Sequence, residues 1–209
     1  LKRVLSEIDV TQIENLHLEL IRKWIRNKKF SRYLINGCYP VAMDGTQKMA
    51  RGWLWDEECL QRTINAGKEG ERTQYYVYVL QASLAFAGGM TIPLLSEFLC
   101  HSEGDSERSK QDCEQKAFHR LAARLKGAFP ALPIMLLLDG LYANGPVMES
   151  CRRNKWQYMI VLKDEGLRSV LKEFESLAEL EPWQRHAGTW GGRRQFFNLK
   201  TAVKLSKMV

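Results

Sequence analysis

Several features that would assign this sequence to a particular class of protein are missing. No apolar run approaches the roughly 18 to 20 residues of a transmembrane helix, so we expect no membrane-spanning segment. The five cysteines are odd in number and widely spaced, and none forms a Cys-x-x-Cys pair, which argues against a disulfide framework and a zinc ribbon. His101, His119 and His186 have no metal-ligand spacing. We therefore expect reduced, mostly buried thiols in a cytoplasmic protein.

An initiator methionine and a signal-peptide pattern are also missing. The chain begins "LKRVLSEIDV", which is typical of a helix interior, and we therefore expect a fragment that lacks sequence at both ends. The chain has 209 residues, 45% hydrophobic and 26% charged, which is typical of a soluble globular protein. Its net charge of +7 favours polyanionic partners, nucleic acid first, although many soluble proteins are equally basic.

The order of predicted elements indicates an α/β fold. Apolar spacing predicts a helix over 6–29, and residues 39–44 read as a short strand that ends at Asp44. A hairpin of strands follows at 73–86 and 90–99, with Gly88 and Gly89 at its turn and Pro93 marking a bulge or an edge. The rest of the sequence predicts helices at 111–129, 146–155 and 166–180, and buried strands at 134–139 and 156–163. A β-rich tail follows at 183–199.

This order predicts a mixed five-stranded sheet flanked by helices. The first three strands are of the antiparallel type, and the later ones are joined through helices, which requires parallel pairing with right-handed crossovers. We divide the chain into an N-terminal helical segment (1–38), an α/β core (39–182) and the start of a β-rich insertion (183–209).

Two aspartates follow apolar strands, in "YPVAMDGTQ" and "IMLLLDGLYANGP". Asp44 and Asp139 are both followed by glycine, and Asp-Gly is also a common turn dipeptide, so each residue alone has an ordinary structural explanation. Carboxylates at the ends of neighbouring strands would repel each other unless a cation paired with them. Mg²⁺ and Mn²⁺ prefer such oxygen ligands, and a two-metal carboxylate site performs in-line phosphoryl transfer.

These segments, with "YYVYVLQASLAFAGGMTIPLLSEFL" and "KQDCEQKAFHRLAARLKGAFP", resemble the DDE transposases of bacterial insertion sequences. The resemblance spans residues 39–168 and implies a ribonuclease H-like fold. It also implies that Asp44 and Asp139 are the first two catalytic, metal-binding acids. Tyr142, soon after the second acid, makes the motif more specific. The implied activity is Mg²⁺- or Mn²⁺-dependent hydrolysis of DNA at transposon ends, followed by strand transfer of the new 3′-hydroxyl into target DNA by a homodimer in the bacterial cytoplasm, at the nucleoid.

The family's third acid is a glutamate on a helix after the fifth strand, and its position here stays open. Glu175, or its neighbour Glu173, lies near the spacing of one branch of the family. In another branch a β-rich insertion comes first, and the aromatic, basic tail resembles the start of one. We favour this second interpretation, which places the third acid beyond residue 209.

Other charged residues are weaker candidates. Lys163, Arg193 and Arg194 are candidates for salt-dependent contacts with DNA phosphates, although a solvated surface explains them as well. Glu97, Asp112 and Glu114 lie near the predicted sheet edge, where they would support metal or DNA contacts or simply complement a helix dipole.

Two other functions remain open at this stage. One is a ribonuclease H-like nuclease that hydrolyses DNA without strand transfer. The other is a catalytically inactive DNA-binding remnant of a transposase.

Overall fold

A mixed six-stranded sheet with helices packed on it forms most of the described structure. The computed structural model describes residues 9–57, 59–99, 109–162, 168, 172–173, 176, 185–190 and 193–198. The helices are α1 (Val10–Arg26), α2 (Ser109–Ala128) and α3 (Gly145–Asn154). The strands are β1 (Tyr39–Arg51), β2 (Leu60–Ile64), β3 (Arg72–Ala85), β4 (Thr91–Phe98), β5 (Ile134–Leu138), β6 (Gln157–Ile160), β7 (Arg185–Trp190) and β8 (Arg193–Asn198).

The strand order confirms the predicted fold class. Strand β1 lies at the centre, antiparallel to β3 on one side and parallel to β5 on the other. Strand β4 continues the antiparallel side, and β6 pairs in parallel with β5. The order β4-β3-β1-β5-β6, with its two parallel crossovers through helices, is the ribonuclease H-like arrangement. A separate hairpin, β7–β8, confirms that the tail contains strands.

The sheet has one strand more than the predicted five. Strand β2 pairs with the first half of β3, and β4 pairs with its second half, so both lie on the same edge of β3. The sequence "LQRTI" of β2 has only two apolar residues, at its ends, and only Leu60 of the strand is buried. A strand so short and so polar lacks the alternation that would have identified it.

Local sequence signals explain where the helices begin and end. The side chain of Asp9 accepts a hydrogen bond from the backbone N–H of Thr11 and caps α1. Asn144 caps α3 in the same way through Val147. Lys155, in the left-handed region at φ 58°, ends α3. Pro130 follows the end of α2, as predicted.

The core lies between the sheet and its helices. Strands β1, β3 and β5 contribute Val41, Leu80 and Leu136, and each of these side chains is fully buried. Helix α2 covers them with Leu121 and other apolar residues, and α1 adds Ile21. Cys38, Cys59 and Cys151 are buried free thiols, as expected. Within the described ranges, no helix has the length and hydropathy needed to cross a membrane.

An ion-pair network joins α1 and α2 to β4. The carboxylate of Glu97 accepts hydrogen bonds from Arg120 at 2.6 Å and from Arg124 at 2.9 Å. Arg124 also donates to both oxygens of Glu14 on α1, each at 2.7 Å. Glu97 therefore has a structural role on β4, and the suggestion that it supports metal or DNA contacts is not needed to explain it.

One strand differs from its prediction in burial. We expected residues 156–163 to form a second buried strand, but β6 lies at an edge of the described sheet. Its residues Gln157, Tyr158 and Met159 are exposed, and only Trp156 before the strand is buried. The apolar run predicts burial, as in a strand covered on both faces. The strand is exposed instead because it pairs only with β5 among the described strands and lies at the edge of the sheet.

The packing of α2 on the sheet generates a prediction. Replacing the fully buried Leu121 with alanine leaves a cavity, and we expect the free energy of unfolding to fall by about 2–5 kcal/mol. Leu16→Ala on α1 is the matched control, because that side chain is 75% exposed and its loss should change stability by no more than about 0.5 kcal/mol. Urea unfolding measures both, and equal losses would contradict the described packing.

Candidate active site

Asp44 lies inside a strand and not at the end of one. We predicted that the first strand ends at Asp44, but β1 continues for seven residues beyond it to Arg51. The Asp44-Gly45 pair is therefore no turn, because Asp44 and Gly45 pair with Gln81 and Leu80 of β3. The ordinary explanation of this aspartate as a turn residue is wrong, and its exposed carboxylate needs another one.

The register between β1 and β5 brings the two aspartates to the same level. The parallel pairs run one to one from Tyr39 with Ile134 to Ala42 with Leu137. Two further steps along both chains reach Asp44 and Asp139. Adjacent strands lie about 4.8 Å apart, so the register predicts that the two side chains are neighbours at the carboxyl edge of these strands. Both residues are exposed.

Asp139 also has a local structural role. Its Oδ1 accepts a hydrogen bond of 3.0 Å from the backbone N–H of Leu141 and caps a single 3-10 turn, Gly140–Tyr142. The predicted turn-forming role of this residue is thus confirmed, and it is compatible with a second role. The cap fixes the carboxylate at the strand end, where a metal ligand would have to be held.

A third acid, Glu114, lies in a partly buried cluster with Tyr142 and Tyr78. The phenol of Tyr142, only 1% exposed, donates a hydrogen bond of 2.8 Å to Glu114 Oε1 on α2. The ring of Tyr142 also contacts Phe118, with 5.3 Å between ring centroids. This contact and this bond connect α2 to the turn that follows Asp139. The sequence motif contained Tyr142, but no spacing rule predicted its partner.

Tyr78 lies over the backbone of β1 next to Asp44. A Cβ atom on Gly45 would overlap the ring and hydroxyl of Tyr78, so any larger residue here would require this ring to move. Gly45 pairs with the fully buried Leu80, and side chains alternate along a strand. Tyr78 and Gly45 therefore lie on the covered face of the sheet, and Asp44 projects from the other face.

The electrostatics show that these groups act on one another. Burial raises the pKa of Glu114, and the negative charges of Asp139 and Asp44 raise it further, whereas the hydrogen bond from Tyr142 lowers it in part. The pKa of Tyr142 is raised by burial first, and then by its bond to Glu114. Burial, followed by the charges of Glu114 and Asp44, raises the pKa of Tyr78. The two tyrosines thus stay neutral beside three carboxyl groups, and Tyr142 donates to one of them.

The chemistry of the two aspartates fits a divalent cation. Both donors are carboxylate oxygens, which Mg²⁺ and Mn²⁺ prefer, and both are held on strands at an exposed edge. They make an incomplete set, however. Among the residues that the structure describes, no group of three or more His, Cys, Asp or Glu side chains is arranged to hold a metal ion.

The other candidate residues are placed only in part. Glu173 is helical and exposed, within the helix predicted at 166–180, and Glu175 lies outside the described residues. Lys163 and Asp112 also have no described side chain. Arg193 and Arg194 belong to β8 by their backbone, opposite Trp190 and Thr189. Their role in DNA binding stays a prediction.

Comparison with known proteins finds similarity among solved structures and none among protein sequences. No model of a known protein family matches the chain, and no curated protein sequence matches it. Among solved structures, the chain is similar to the Mos1 transposase in a paired-end complex with the left transposon end, with a TM-score of 0.33 and 11% sequence identity. The match covers 82% of this chain and 55% of that chain, so this chain spans about half of that protein's length. At this TM-score, the fold assignment depends on the strand order and not on the neighbour.

The hydrogen bond between Tyr142 and Glu114 generates a prediction of stability. Tyr142→Phe leaves a partly buried carboxylate without its donor, and we expect the free energy of unfolding at neutral pH to fall by about 1–3 kcal/mol. Tyr158→Phe, which removes a phenol that is 44% exposed, is the control and should have almost no effect. Denaturant unfolding of both variants tests this, and equal stabilities would contradict the described bond.

The raised pKa of Glu114 generates a prediction of pH dependence. A carboxyl group whose pKa is higher in the folded than in the unfolded state stabilises the protein less as the pH rises through that folded pKa. Glu114→Gln keeps an acceptor for Tyr142 but cannot ionise. The variant should therefore gain stability relative to the wild type as the pH rises from the ordinary glutamate pKa of 4.5 through the raised pKa of the folded state. Unfolding curves across this range measure the difference in the free energy of unfolding between variant and wild type. A difference that does not change with pH would contradict the described environment of Glu114.

Proposed function

We propose that this chain is the catalytic core of a DDE-type DNA transposase of the bacterial insertion-sequence kind. One observation supports this most: the one-to-one register of β1 with β5, which brings Asp44 and Asp139 to the same level on adjacent parallel strands. On this proposal the two carboxylates hold Mg²⁺ or Mn²⁺, and the partners of the protein are transposon ends and target DNA. It acts as a homodimer in the cytoplasm, at the nucleoid.

On this proposal, individual residues of the chain have separate roles in holding the metal. Asp44 and Asp139 orient the cation, and the backbone N–H of Leu141 keeps the carboxylate of Asp139 in place. When bound, the metal supplies an activated oxygen nucleophile and stabilises the leaving oxygen of an in-line displacement. A third carboxylate would complete this set. Glu175 and Glu173, on the predicted helix, are the candidates for it within this sequence.

The incomplete set of metal ligands supports a second candidate function, that of an inactive DNA-binding protein. The described residues contain two of the three acids that the family requires, and this favours an inactive DNA-binding remnant if no further glutamate joins them. A nuclease without strand transfer uses the same pair of aspartates, so the two enzymes differ in their products and not in this site.

The test uses the full-length protein with Asp44→Asn and Asp139→Asn. Both substitutions keep the shape of the side chain and remove its charge. We expect each to reduce Mn²⁺-dependent nicking of DNA that carries the element's ends by on the order of 10²–10³-fold, because metal stabilisation amounts to several kcal/mol. Glu69→Gln, in the exposed loop before β3, is the matched control. Manganese binding, followed by electron paramagnetic resonance, provides a readout that does not depend on activity.

The products of the same assay separate the functions. Joining of a labelled 3′-hydroxyl end to target plasmid supports the transposase, whereas cleavage without joining supports the nuclease. DNA binding without cleavage by the wild-type protein supports the remnant. Full nicking activity in either aspartate variant would exclude that residue from the site.

A further inference from the structure

The central strand continues past the candidate active site as part of a ribbon. Strand β1 has 13 residues and β3 has 14, whereas β5 has 5. Pairing of β1 with β5 ends at Ala42, but pairing with β3 continues to Arg51. Strand β2 widens this extension on the far side of β3. A three-stranded ribbon thus projects from the edge at which Asp44 lies.

One face of the ribbon leads directly from Asp44 to Arg51. Asp44 and Thr46 pair with Gln81 and Val79 of β3. The register then shifts between Gln47 and Met49, so that Lys48 is the extra residue of a bulge. After the bulge, Met49 and Arg51 pair with Val77 and Tyr75. Since these partners alternate regularly along β3, the β1 residues Asp44, Thr46, Met49 and Arg51 share one face of the sheet.

An aromatic cluster lies at the end of this face. The guanidinium of Arg51 is 5.3 Å from the ring centroid of Trp53 and 5.4 Å from that of Trp55. The side chain of Trp53 is nevertheless 62% exposed, and that of Met49 is 44% exposed. Arg51 therefore contacts both rings, and the indole of Trp53 stays exposed. Large exposed apolar side chains held in this way are typical of a binding surface.

The charges near the cluster indicate the kind of ligand. No acid lies between Asp44 and Arg51 on β1, and this segment carries Lys48 and Arg51. Acids follow the cluster, however, at Asp56, Glu57 and Glu58. A surface with both signs is a poor site for a ligand that is bound by its phosphates alone. An exposed indole beside a guanidinium instead suits a nucleobase that stacks, next to one phosphate.

We propose that Trp53 and Arg51 form a stacking platform for the substrate DNA, at a fixed distance from the cleaved phosphate. The indole of Trp53 contacts a base, and Arg51 contacts an adjacent phosphate. This inference depends on the proposed function for the position of the cleaved bond. Seven residues separate Asp44 from Arg51, which is about 23 Å at about 3.3 Å per residue. At about 3.4 Å per nucleotide along one strand, the contact lies about seven nucleotides from the cleavage point.

The experiment compares two lengths of DNA on variants of the full-length protein. Oligonucleotides extend either 4 or 12 nucleotides to each side of the cleavage point, and fluorescence anisotropy in Ca²⁺ measures the Kd without turnover. Trp53→Ala should weaken binding of the long DNA by roughly 5- to 100-fold, the range for loss of one stacked base, and leave binding of the short DNA unchanged. Trp53→Phe should restore most of the affinity. Leu54→Ala is the matched control, because this neighbouring apolar residue is 53% exposed but not aromatic.

The outcomes distinguish this inference from the proposed function. An equal loss for both lengths, an unchanged Kd for the long DNA, or an equal effect of Leu54→Ala would overturn the platform. Failure of the catalytic proposal appears elsewhere, as nicking that survives Asp44→Asn and Asp139→Asn. Because the affinity assay needs no cleavage, a length-dependent loss in Trp53→Ala supports the platform even for a catalytically inactive protein.

Discussion

The parallel pairing of β1 with β5 is the constraint on which the site depends. Val41 and Leu136 are partners in this pairing, and both are fully buried. A slip of one residue would exchange the core-facing Ile134, Leu136 and Leu138 for Met135 and Leu137, and the close packing of the core disfavours that change of shape and volume. The same slip would separate Asp139 from Asp44. The hydrophobic core therefore sets the geometry of a polar site, and the site itself contributes little to that choice.

The acids of the site face a different electrostatic environment on each side of the sheet. Asp44 projects from the more open face, where water solvates its charge. Glu114, Tyr142 and Tyr78 lie on the face that α2 covers, where burial disfavours additional negative charge. The phenol of Tyr142 is a neutral donor, so it stabilises the carboxylate of Glu114 without adding a cation. A divalent ion at the edge would be attracted by charge from both faces, although it would touch only one of them.

Much of the fold could be predicted from the sequence, because its determinants are local. The apolar spacing of α2 and the uniform run "IMLLL" identified a helix and a buried strand, and Gly88 with Gly89 identified the hairpin. Strand β2 has no such signal and forms because β3 offers it an edge. The dipeptide Asp44-Gly45 predicts a turn. In the structure Gly45 instead lies within β1, under the ring of Tyr78 from a different strand.

The site was predictable to the extent that it repeats a family motif. Asp44 and Asp139 were identified by their position after apolar segments and by resemblance. Their common level needed the register, which sequence alone does not provide. The partnership of Tyr142 with Glu114 joins residues 28 positions apart on different elements, and no periodicity encodes it. Contacts of this kind follow from packing and are found only when the elements are placed.

Pro93 also has a consequence for the behaviour of the protein in a crowded solution. The residue interrupts the outer side of β4, where the register against β3 shifts. It has no N–H to offer an incoming strand, and its carbonyl oxygen accepts a hydrogen bond of 2.7 Å from His17 Nε2 on α1. An edge with neither group exposed at its centre is a poor template for further strands. Pro93, which the sequence predicts to mark a bulge or an edge, thus protects this side of the sheet against aggregation.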